Sequence, residues 1–163
     1  MRNPDSRISI LNRLEFEYDE AFLWLSLPSG RKLAYPHTRI MRAHIIKGKK
    51  SKIVREGNWG EPGVWFKDAS AGQWRDVRIY GGLLTENVVQ AISRDLLAEA
   101  MLRVDRAGFN IVAHVHDECI IEVNEKIAEH AKVKFNRLMN EVPSWAEGLP
   151  IVANAWIAKR YVK

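Results

Sequence analysis

The chain has 163 residues, 47% of them hydrophobic and 28% charged, and its 25 Lys and Arg against 20 Asp and Glu give a formal net charge of +5. That length and balance suit one compact domain and exclude a largely disordered chain, while the mild positive charge permits a nucleic-acid partner without demonstrating one. One cysteine, Cys119, excludes an intrachain disulfide, no apolar run reaches the length of a membrane span, and polar Met1–Ser9 lacks the apolar core of a secretory signal. The expectation is a cytoplasmic protein with no membrane partner.

Residues 1–20 carry no decisive pattern: Met1–Ser9 reads as loose, and Ile10–Tyr18 as a strand or a short helix. Ala21–Leu27 reads as a strand, Pro28-Ser29-Gly30 as a turn, and Arg31–Tyr35 as the returning strand that Pro36 stops. Residues 36–63 look irregular. Their basic run, Lys47-Gly48-Lys49-Lys50 with Lys52 and Arg55, reads as a solvated loop rather than a phosphate contact. Val64–Lys67 and Trp74–Tyr80 are expected to be strands flanking a turn around Ala71-Gly72-Gln73. Trp59, Trp65 and Trp74 offer surfaces on which bases stack, but a small layered domain needs large apolar bodies, and the core reading is preferred for all three.

Gly81-Gly82 ends the strand pattern, and a helix is expected from Leu83 to Ala107 with Gly108 as its C-cap. Val88, Val89, Ile92, Leu96, Ala100 and Val104 form its expected buried face, and Asn87, Gln90 and Arg94 cluster on another side. Phe109–Ala113 and Cys119–Val123 read as two strands. Asn124 is placed to cap a helix from Glu125 whose stripe is Ile127, Ala131, Phe135, Leu138 and Met139. Pro143–Pro150 reads as a loop and Ile151–Tyr161 as a closing sheet strand. The order of elements predicts an α+β fold, an antiparallel sheet packed against helices.

Between the two apolar strands sits His116-Asp117-Glu118. Two adjacent acids there need solvent, hydrogen bonds or cations, and hard carboxylate oxygens suit Mg²⁺. The bland alternative is a solvated hairpin tip. On a straight strand His114 and His116 share a face, as in a His-x-His zinc site, but the sequence offers no compelling third histidine. Cys119 reads as a buried, inert thiol.

Val115-His116-Asp117-Glu118 closely resembles the third polymerase motif of the family A DNA polymerases, the DNA polymerase I family. The preceding run from Tyr80-Gly81-Gly82 to Met101 is similar to the long palm helix of its phage-type members. Leu27-Pro28-Ser29-Gly30-Arg31 and Pro143–Pro150 resemble further segments in the same order, so the likeness runs from about Phe22 to Lys163. It implies an uncertain segment over 1–20 and, over 21–163, the C-terminal palm portion of a polymerase. It implies catalytic roles for Asp117 as metal ligand, Glu118 as its support and His116 near the primer terminus. Gln90 would read the minor-groove side of the terminal base pair, with Asn87 and Arg94 as secondary DNA contacts.

The implied chemistry is template-directed nucleotidyl transfer with two Mg²⁺ ions, with primer–template DNA and deoxynucleoside triphosphates as partners. The family also uses a first-motif aspartate, a fingers helix and a thumb, none of which this stretch resembles. Asp5-Ser6-Arg7-Ile8 lacks the acidic partner of the first motif and is not assigned to it. The isolated chain is therefore expected to be inactive in polymerisation and to need an N-terminal polymerase fragment. Self-association through surfaces left uncovered is a further expectation. The alternatives are a non-catalytic DNA-binding module or polymerase remnant and, behind it, a metal-dependent phosphohydrolase using His114, His116, Asp117 and Glu118.

Overall fold

The computed structural model describes residues 8–10, 13–47, 52–57, 61–70 and 72–161, with the backbone alone for 43–47 and 52–56. The fold is α+β, with antiparallel sheets and two α-helices among the described residues. Its length suits one domain, yet the chain divides into two compact units, Met1–Val88 and Val89–Lys163.

The first unit opens with a four-stranded meander. Its strands are β1 (Ile8–Ile10), β2 (Leu14–Tyr18), β3 (Phe22–Ser26) and β4 (Lys32–Pro36), paired in that order. Of the ambiguous stretch Ile10–Tyr18, the part Leu14–Tyr18 is a strand. At the β2–β3 turn Asp19 accepts from the backbone N–H groups of Ala21 (3.2 Å) and Phe22 (2.8 Å) and from the Trp24 indole (2.7 Å). The indole bond, and then the backbone ones, hold its carboxyl below the usual range. The β3–β4 turn forms as expected: the Gly30 N–H reaches Leu27 O at 2.9 Å, and Gly30 sits at φ +87°, which a side chain would resist.

A second antiparallel sheet follows, in the order β6-β5-β7-β8: β5 (Arg39–Lys47), β6 (Lys52–Glu56), β7 (Pro62–Asp68) and β8 (Arg75–Ile79). The expectation that 36–63 is irregular fails, because β5 and β6 are paired from Ala43↔Glu56 to Lys47↔Lys52. Cations interleaved with Ile and Val hid the strand period there, since Lys and Arg carry little strand preference of their own. Gly48, Lys49 and Lys50 of the basic run, Trp59, and Ala71 of the expected turn lie outside the described residues. Leu25, Leu27 and Tyr35 are buried in the first sheet, and Met41 with Trp65 in the second. Tyr35 meets Phe66 edge-on at 5.2 Å and takes a hydrogen bond from Asn87 Nδ2 at 3.1 Å.

Helix α1 (Gly81–Arg106) includes the glycine pair that the pattern reading placed outside it. It ends where expected. The Phe109 N–H reaches Val104 O at 3.3 Å and the Gly108 N–H reaches Asp105 O at 2.9 Å, the paired bonds of a Schellman cap, with Gly108 at φ +83°. The buried face differs from the expected stripe. Ala100 and Val104 are buried, but so are Ala91 and Leu97, while Val89 is 57% exposed. Ala91 and Ala100 stand about 180° apart at 3.6 residues per turn, so two sides of the helix are covered where a single stripe was expected.

In the second unit β9 (Asn110–Val115) and β10 (Glu118–Glu122) form a hairpin with an irregularity beside Ile120 and Ile121. Asn124 caps a short 3-10 turn, Glu125–Ile127, accepting from the Lys126 N–H at 2.9 Å, and α2 (Ala128–Asn140) continues from it. Ala131 and Leu138 are buried, whereas Ile127, expected in the same stripe, is exposed.

The ends of α1 and α2 satisfy each other. Arg103 donates to Leu138 O (3.2 Å) and Glu141 O (2.6 Å), carbonyls of the last turn of α2, and Lys134 Nζ donates to Ala107 O (3.2 Å) beyond α1. Residues 151–161 form no sheet strand, contrary to expectation. Asn140 takes the place of a partner strand. Its side chain accepts from the Ala153 N–H and donates to Ala153 O, both at 2.8 Å, and one amide thereby anchors the tail.

Candidate functional site

The β9–β10 hairpin aims the His116-Asp117-Glu118 cluster. Val115 pairs with Glu118, so His116 and Asp117 alone make the turn. His116 has φ +51° and Asp117 has no positive φ, the sign pattern of a type II′ turn, whose first central position favours glycine. A histidine there is held at a cost of about 1–3 kcal/mol, a kind of strain that collects at functional positions. The strand therefore ends before His116, and the straight-strand argument that put His114 and His116 on one face does not apply.

Asp117 is exposed at the tip and Glu118, the first residue of β10, is half-buried. Glu118 Oε2 accepts a hydrogen bond from the Tyr161 hydroxyl at 2.9 Å. That bond, with the negative charge behind it, pushes the Tyr161 phenol above its ordinary range. Cys119 faces His114 across the hairpin and is half-buried; burial pushes its thiol up, as expected for an unreactive sulfur. Among the described residues no three His, Cys, Asp or Glu groups come together as a metal cage. Asp117 and Glu118 remain a pair of hard oxygen donors, of which Glu118 has one oxygen already engaged. Mg²⁺ is commonly held by one or two carboxylates, with waters and substrate phosphates completing its shell, so the pair fits that ion.

The three helix candidates all lie on α1. Gln90 and Arg94 are exposed on α1 in the second unit. Asn87 belongs to the first unit, is half-buried and donates to the Tyr35 hydroxyl. Tyr161 was missed as a partner of the cluster. It lies 43 residues from Glu118, and no local period marks such a pair.

This chain is similar to a phage DNA polymerase. It is 35% identical over 157 residues to a protein named DNA polymerase from Bacillus phage SP02. The match takes in 96% of this chain and 22% of that protein, so the chain spans about a fifth of the length of the curated relative. No family model matches the chain. No solved structure matches it. Among the described residues no helix is long and apolar enough to cross a membrane.

Proposed function

We propose that this chain is the palm portion of a family A, phage-type DNA polymerase. It would contribute to template-directed nucleotidyl transfer together with polypeptide that carries the partner carboxylate, the fingers and the thumb. One observation carries the reading: the likeness to a phage DNA polymerase extends over 96% of the chain, and its interior includes the strained hairpin tip.

In this proposal the primer 3′ hydroxyl attacks the α-phosphate of a deoxynucleoside triphosphate and pyrophosphate leaves. Asp117 and Glu118 would hold Mg²⁺, which supplies charge neutralisation and a lowered hydroxyl pKa when bound. Tyr161 positions Glu118 by fixing one of its oxygens. The left-handed backbone at His116 presents the imbalance of a costly turn kept for its side chain, consistent with a contact at the primer terminus. Gln90, exposed on a rigid helix, is suited to read the minor groove, where acceptors are nearly common to all base pairs. Arg94 is suited to a backbone contact. Asn87 donates its amide to the Tyr35 hydroxyl.

The test is primer extension with Mg²⁺ by the chain combined with the remainder of a polymerase of this type. Extension that depends on Asp117 supports the reading, and equal extension after Asp117→Ala removes it. A DNA-binding module without catalysis is the second reading, favoured by the net charge of +5. Salt-sensitive primer–template binding without extension in the combined protein would select it. Self-association of the chain alone belongs to the same proposal, and sedimentation showing only monomer at high concentration would contradict it.

A further inference from the structure

Trp65 and Trp74 read alike in the sequence, and the structure separates them. Trp65 is 2% exposed, as a core residue should be, but Trp74 is 61% exposed and Tyr80 62% exposed. They flank β8, an edge strand of its sheet. Trp74, Asp76, Arg78 and Tyr80 alternate onto one face, and Trp74 to Tyr80 spans about 20 Å at about 3.3 Å per residue.

The chemistry of that face is cationic between aromatic ends. Asp76 is its acid, and it is met by Arg39 and Lys67, each at 3.1 Å. Arg78 lies opposite Trp65, and Trp65 opposite Arg39, so two arginines flank the buried indole. Gly63 makes room for Arg78: a Cβ at Gly63 would come within 2.6 Å of Arg78 Nε. The guanidinium thus lies over Gly63 on β7. His37 braces Trp74, the rings meeting edge-on at 6.2 Å. His37 itself is held at φ +50°, its N–H bonded to Ala21 O at 2.7 Å and its neighbour Thr38 bonded to Tyr35 O at 2.8 Å.

We propose that this face of β8 is a binding platform for single-stranded nucleic acid, with Trp74 and Tyr80 stacking on unpaired bases and Arg78 and Arg39 facing the phosphates. Aromatic rings at both ends of a strand, with a net cationic stretch between them, match a polymer of flat bases and anions. A single strand fits better than a duplex because stacking needs bases whose faces are uncovered. The span accommodates about four nucleotides, the short end of known single-strand sites. The inference rests on the first unit and stands apart from the role of Asp117.

The experiment is a titration of a labelled oligodeoxythymidylate of about twelve nucleotides with the whole chain, in chelator and low salt, read by anisotropy and tryptophan quenching. Binding is expected, weakened at least about tenfold by Trp74→Ala with Tyr80→Ala and retained within about threefold by Trp74→Phe with Tyr80→Phe. Arg78→Ala should lower the salt dependence by about one phosphate contact. Circular dichroism of each variant verifies the fold, and the Phe pair keeps the test decisive if the Ala pair misfolds. Unchanged affinity in the Ala pair, or no binding at low salt, would overturn the platform. Because binding is read without metal, its failure leaves the polymerase reading standing, and loss of the polymerase reading leaves the platform standing.

Discussion

The Tyr161 hydroxyl donates to Glu118 Oε2 at 2.9 Å, so a side chain at the end of the described chain holds one oxygen of the hairpin's half-buried acid. The bond favours the protonated phenol, and its pKa is raised above the unfolded value of about 10. A raised folded value means that this contribution to stability is fully present below the unfolded value. It is lost as pH rises through the higher folded value.

Phenolate absorbance of the native chain minus that of Tyr161→Phe isolates this group among the four tyrosines. The difference step is expected above the ordinary tyrosine range and should move down in Glu118→Gln. A step in the ordinary range in the native chain would mean that the bond does not persist in solution.

His116 offers a test of backbone strain apart from chemistry. Glycine accepts φ +51° without the Cβ conflict. His116→Gly should therefore leave stability unchanged or raise it by up to about 1 kcal/mol, while His116→Val should lower it by about 2 kcal/mol. Denaturant unfolding measures both. A His116→Gly variant that loses stability would show that the imidazole itself holds the turn.

Arg103 joins the two helices of the second unit. Its side chain is 17% exposed and donates to Leu138 O and Glu141 O, with the Glu141 carboxylate 3.6 Å from Nε. Arg103→Ala orphans carbonyls at the end of α2 and should destabilise by about 2–3 kcal/mol. Arg103→Lys should recover only part of this, because one ammonium cannot reproduce the fork. Thermal and denaturant melts check both values, and a loss below about 0.5 kcal/mol would place the two carbonyls in contact with water instead.

Features set by neighbouring residues were legible in the sequence. Gly108 closes α1 and Asn124 starts the turn before α2, since caps depend on residue types a few positions apart. The Pro28-Ser29-Gly30 turn and the β9–β10 hairpin were legible for the same reason. Features set by distant partners were not. Asn140 replaces a whole strand for residue 153, and an extended run carries no mark of whether a ladder or one amide holds it.

The two covered sides of α1 depend on what surrounds the helix, so Ala91 is buried and Val89 is exposed despite their hydropathy. Of the site, the acids and histidine were legible as a cluster. The left-handed backbone at His116 and the hold of Tyr161 on Glu118 arise only when the hairpin and tail are folded.

In the proposed reaction Asp117 stands at the reacting phosphate. The most direct measurement is the single-turnover rate of primer extension by the combined polymerase in Mg²⁺, native chain against Asp117→Asn, at matched primer–template affinity. A fall of at least about 10³-fold is expected, the scale of several kcal/mol of lost charge stabilisation. Rates within about threefold of each other would contradict it.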